Sequence, residues 1–216
     1  MSGVRPPEPD ERAAANRLMH VLRRARFRER ASTVVTSATP PGRLDGRAAM
    51  LGAAQRVSGS MGWAAPVLSS VAWVVGQAVR RVGGCGATVA FGEAVTSIVA
   101  PGADPANVTK FVAKDGSEAF VEAVQALDGA LGLARGDGAR LLVVVSDGHL
   151  VGPGQLDEGA RLVARLTGRG VRVLHLDVAE RGTRPLAGAT LVRLHTPDGV
   201  LAVISDAIRD ALTGAK

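Results

Sequence analysis

The chain has 216 residues, of which 46% are hydrophobic and 21% charged. That balance supplies enough apolar surface for one buried core and excludes general disorder. The single cysteine, Cys85, excludes an internal disulfide, and no Cys/His spacing points to zinc. The net charge of +6 and a pI near 10.8 favour an acidic partner. Nearly all the basic residues are Arg, however, which together with the heavy use of Ala, Gly and Val indicates a coding bias as much as a function.

The first residues, MSGVRPPEPDER, carry acids and prolines where a signal peptide needs an apolar run. The longest apolar stretch, Val67 to Val79, is too short to span a bilayer. A cytoplasmic location without a membrane partner is therefore expected. From Asp10 to Arg30, Leu18, Val21, Leu22 and Ala25 recur at helical spacing and most of the other face is Arg, which predicts a basic amphipathic helix. With only Phe27 interleaved, base stacking has little support, so a docked arm with a solvated basic face is preferred to a nucleic-acid anchor. The narrow apolar stripe predicts that this arm adds little to the main core. Thr33 to Thr36 reads as a short strand, and Pro40-Pro41-Gly42 as a break. These signals divide the chain into an N-terminal arm and linker, 1–44, and a main domain, 45–216.

Within that domain, helix and strand alternate. Helices are expected at Ala64–Arg81, Glu118–Leu133, Leu156–Thr167 and Val200–Leu212. Strands are expected at Ala87–Gly92, Val95–Val99, Leu141–Ser146, Val171–Val178 and Thr190–Leu194. Continuous Val-rich strands separated by helices predict an α/β fold, a doubly wound and mainly parallel sheet with helices on both faces. In such sheets, ligands bind outside the carboxyl ends of the strands. Three polar segments fall at that edge: Ser58-Gly59-Ser60, Asp115-Gly116-Ser117 and Ser146-Asp147-Gly148. Ser58, Ser60, Ser117 and Asp147 together offer hard oxygen ligands suited to Mg²⁺ or Mn²⁺. Each segment also has a plainer reading: Ser58 or Ser60 as a helix cap, Asp115 to Glu118 as a capping box, and Asp147-Gly148 as a turn.

The order and spacing of these segments resemble the von Willebrand factor A (VWA) family, bacterial type, and its metal-ion-dependent adhesion site. The family pattern is Asp-x-Ser-x-Ser, then a Thr, then an Asp in a Thr-Asp-Gly-type strand end. Ser58 and Ser60 match the two serines, Ser117 stands for the Thr, and Asp147 matches the last Asp. The TVAFG and VVSDG strands also look like the family's, over about residues 56 to 178, and the Arg-rich arm followed by Thr39 to Leu44 looks like bacterial members. The resemblance implies a protein-binding module in which a metal completes its coordination with a carboxylate of the partner. It also implies work alongside an AAA-type ATPase.

This chain departs from the pattern at one place. Arg56 stands where the family has its first Asp, and a guanidinium repels a cation instead of ligating it. The run Ala48 to Gln55 just upstream is rich in Ala and Gly, poor strand formers, so the first core strand is expected to be weak, displaced or absent. The metal is correspondingly in doubt, and a degenerate adhesion site is expected. Catalysis has little support. Ser58-Gly59-Ser60-Met61-Gly62 lacks the preceding Gly of a nucleophile elbow, and Gly84-Cys85-Gly86 precedes a strand instead of following one. His149 reads as a loop residue and His175 as structural. A binding role without enzymatic activity is expected. The alternative is a nucleic-acid-associated protein that uses its basic arm.

Overall fold

A computed structural model describes residues 3–24, 50–56, 65–110, 119–135, 139–147, 154–178, 186–194 and 200–213. The elements are β1 (Val4–Arg5), α1 (Pro9–Arg24), β2 (Met50–Arg56), α2 (Ala65–Arg81), β3 (Cys85–Phe91), β4 (Val95–Val99) and β5 (Val108–Thr109). They continue with α3 (Phe120–Leu131), β6 (Arg140–Ser146), α4 (Gln155–Gly168), β7 (Arg172–Asp177), β8 (Thr190–Arg193) and α5 (Val200–Thr213). The fold is mixed α/β. One sheet of six strands has the order β4-β3-β2-β6-β7-β8, in which only β4 runs antiparallel to its neighbour.

The sheet is covered on both faces, as alternation along its strands requires. On β6, Leu141, Val143 and Val145 join Leu174 and Leu176 of β7 in one core, shared with α1, α2 and α5. Leu142 and Val144, with Val173, face the opposite core beneath α3 and α4. A continuous apolar strand such as LLVVV is what burial on both sides demands.

Two expectations are corrected here. The Ala- and Gly-rich run is neither displaced nor absent: Met50–Arg56 is the central strand of the sheet, in unbroken parallel register with both β3 and β6. Strand propensity mostly measures side-chain packing on a half-buried surface. Between two parallel partners, the backbone pairing on both sides holds the strand in place. The N-terminal helix is likewise no accessory. Ala14, Ala15, Leu18 and Leu22 are fully buried against α2 and α5. Its stripe is narrow, yet it packs against both α2 and α5. The expected strand Thr33–Thr36, the helix continuation to Arg30 and the 44/45 boundary lie outside the described residues.

A small second sheet, unforeseen in the sequence, fastens the N-terminus. β1 pairs antiparallel with β5, with Val4 opposite Thr109. Beside it, Glu11 accepts both Nη groups of Arg5, at 2.6 and 2.8 Å, and the Glu8 backbone N–H at 2.7 Å. The Ser70 hydroxyl of α2 also donates to Glu11. One carboxylate therefore caps the first turn of α1 and ties it to both β1 and α2.

Candidate functional site

Leaving aside the two-residue strands, the sheet order in chain sequence reads 3-2-1-4-5-6. The order reverses between β2 and β6, and a ligand crevice is expected outside the carboxyl ends of these two strands. Arg56 is the last residue of β2, and Gln55 stands opposite Val145 in the register. Ser146 ends β6, with Asp147 just beyond it. Arg56 and Asp147 therefore terminate adjacent strands at the same edge, at the switch point.

Next to this edge, β6 and β7 carry a group of buried polar side chains. The Ser146 hydroxyl and His175 Nε2 are hydrogen-bonded at 2.9 Å, and both residues are fully buried. Asp147 and Asp177 are 4% and 3% exposed. The register pairs Ser146 with Asp177, and Arg193 Nε of β8 approaches the Asp177 carboxylate at 3.7 Å. Backbone bonds extend the ladder past the strand ends, from Val178 N–H to the Ser146 carbonyl at 3.1 Å and from Leu194 N–H to the Asp177 carbonyl at 2.7 Å. Burial pushes the His175 pKa below the ordinary imidazole value, and the negative charge of Asp177 offsets this only in part. The ring is thus held neutral.

The elements flanking this edge are joined through aromatic and amide contacts. Phe91, at the end of β3, packs on Phe120, at the start of α3, with centroids 5.7 Å apart and planes tilted by 55°. Gly159 of α4 gives the Phe120 ring its room, since a Cβ there would lie 2.7 Å from Cε1. Gln155 of α4 accepts the Val121 N–H at 3.0 Å and donates to Glu122 at 3.2 Å. These contacts join the first turns of α3 and α4. The helix α3 begins at Phe120 with Ala119 as its N-cap, and no side chain caps it. Asp115 to Glu118, read from the sequence as a capping box, lie outside the described residues.

Of the four site residues expected from sequence, Asp147 stands at the carboxyl edge. Ser58, Ser60 and Ser117 lie outside the described residues. His175, Asp177 and Arg193 were not foreseen beside this edge. The signal was present in VRVLHLDV, where His175 and Asp177 break an apolar strand two residues apart and so share one face. Chemically, the Ser146–His175 contact has the length of a nucleophile–base pair, but His175 Nδ1 has no hydrogen-bond partner among the described residues. Both residues are fully buried, so the contact is a hydrogen bond within the core. No cluster of three or more His, Cys, Asp or Glu able to hold a metal ion occurs among the described residues. No protein-family model matches the chain, and no curated protein matches it.

Proposed function

We propose that this chain is a protein-binding module of VWA type, with a doubly wound sheet and a degenerate metal-ion-dependent adhesion site at the switch point. It engages an acidic group of a partner protein, and the bacterial resemblance makes an AAA-type ATPase system the expected setting. The observation that carries the reading is the coincidence of Arg56 and Asp147 at the ends of β2 and β6. Arg56 ends the central strand two residues before Ser58, as the first Asp of the family pattern would.

A tightly held divalent ion does not fit this edge. Its described carboxylates, Asp147 and Asp177, are both buried, and Arg56 adds a permanent positive charge where an oxygen ligand is needed. In this reading, the guanidinium supplies the cationic character that a metal supplies elsewhere in the family, and a partner's carboxylate pairs with it directly.

The test is a calorimetric titration of Mg²⁺ and Mn²⁺ into the unaltered chain and into Arg56→Asp. The substitution removes a positive charge and adds an oxygen ligand. The unaltered chain is expected to show no saturable binding, and the variant to bind with Kd of about 1 mM or tighter. Tight binding by the unaltered chain, or no gain in the variant, would overturn the reading.

A further inference from the structure

The opposite edge of the sheet, where the strands begin, carries a concentration of arginines that the proposed function leaves unused. Arg140 opens β6 and Arg172 opens β7, on neighbouring strands whose register sets Leu141 against Arg172. Arg135 lies in the turn after α3, Arg165 in the last turn of α4, and Arg169 is the C-cap of α4. Arg140 binds the set together, donating to the Leu133 carbonyl at 2.7 Å and to the Arg169 carbonyl at 2.6 Å.

Helix ends attract cations, because their unpaired carbonyls carry partial negative charge. That accounts for Arg140, which bonds two such carbonyls, and for Arg165, which pairs with Asp128 of α3 at 3.3 Å. It also favours Arg169 and, less directly, Arg135, at the ends of α4 and α3, and leaves Arg172, at the start of β7, unexplained. All three are exposed, and none has an acidic partner among the described residues. Even if Asp137, close to Arg135 in sequence, is counted with Asp128, these five arginines outnumber the acids around them.

We propose that this amino edge is a docking surface for the phosphate backbone of a nucleic-acid duplex. Guanidinium groups match phosphate oxygens in a bidentate manner. Here they project from rigid strand starts and helix ends, as backbone-tracking contacts require. The set contains no aromatic residue to stack a base, so contact through phosphates is expected to be independent of sequence. The surface is distinct from α1, and it lies across the sheet from Asp147, so both edges can be occupied together.

The experiment measures fluorescence anisotropy of a labelled duplex of about 20 base pairs with the full chain, between about 50 and 200 mM salt. A labelled poly-glutamate of similar charge serves as the competing polyanion. The edge variant combines Arg135→Gln, Arg169→Gln and Arg172→Gln. The comparison variant combines Arg12→Gln, Arg17→Gln and Arg23→Gln on the exposed side of α1. Circular dichroism checks that both fold. The edge variant is expected to lose at least about tenfold in duplex affinity at low salt, with a salt slope shallower by about 0.9 for each contact removed. The α1 variant is expected to change by less than about threefold. No duplex binding by the unaltered chain at low salt, or an edge variant that binds as well as it does, would overturn the proposal. Equal affinity for poly-glutamate would also overturn it, in favour of an acidic protein.

Discussion

His175 illustrates how one buried side chain makes the fold sensitive to pH. Its Nε2 shares a hydrogen bond with Ser146, and burial holds its pKa below the ordinary value of 6.5. In the unfolded chain the imidazole takes up a proton at about pH 6.5, whereas in the folded chain it resists doing so until the pH is lower. Between those two values the unfolded state binds more protons, so stability falls as the pH drops below about 6.5. Urea midpoints are expected to decline from about pH 6.5 to 5, and His175→Gln to flatten that decline even though it lowers the midpoint at neutral pH. An identical slope in the variant would assign the effect to other groups. Glu11 behaves differently. Burial raises its pKa, but Arg5, Ser70 and the Glu8 N–H more than reverse the effect, so it titrates below its usual 4.5. Its contribution is therefore present at neutral pH and lost only as the pH falls below about 4.5 through the lowered folded value.

At the scale of elements, α1 decides how the N-terminus must be regarded. Its exposed side carries Arg12, Arg17 and Arg23, while Leu18 and Leu22 disappear into the core. Removing residues 1–24 would expose the faces of α2 and α5 that α1 covers, and would strand Ser70 without its carboxylate. The truncated chain is expected to lose cooperative thermal unfolding. Leu18→Ala, a milder change, should cost about 2–5 kcal/mol, the range for a large buried aliphatic side chain. Denaturant titration reads that loss directly. A Leu18→Ala midpoint equal to that of the unaltered chain would mean that α1 is detached in solution.

Across the whole molecule, the sheet order and the direction of the helices separate charge. Acids gather at helix starts, with Glu122 in α3 and Asp157 and Glu158 in α4, and arginines at helix ends, with Arg80 and Arg81 in α2 and Arg165 in α4. Each placement complements the local helix dipole. In α2 and α4, which return the chain to the strand starts, the same preference places arginines toward the amino edge. The strand β6 is hydrogen-bonded on both sides, with Leu142, Val143 and Val144 fully buried. Native-state hydrogen exchange is expected to be slowest at the amides of Leu141 to Val145, approaching the global unfolding free energy, and faster at the edge strand β4. Faster exchange in β6 than in β4 would contradict the sheet order.

The sequence alone determined those elements whose pattern is local. The run LLVVV demanded burial on both faces, the apolar periodicity of α2, α4 and α5 set their lengths to within a few residues, and the alternation of helix and strand implied a mainly parallel sheet. The tertiary structure alone decided what depends on neighbours. Met50–Arg56 is a strand because β3 and β6 flank it, despite residues that rarely form one unaided. The helix α1 belongs to the core because α2 and α5 pack against its apolar stripe, and no periodicity in α1 itself reveals which helices will meet it. Asp147 was readable as a candidate from its strand end. The placement of His175, Asp177 and Arg193 beside this edge was not, because it depends on the parallel register of β6, β7 and β8, and register is set by pairing between segments distant in the chain.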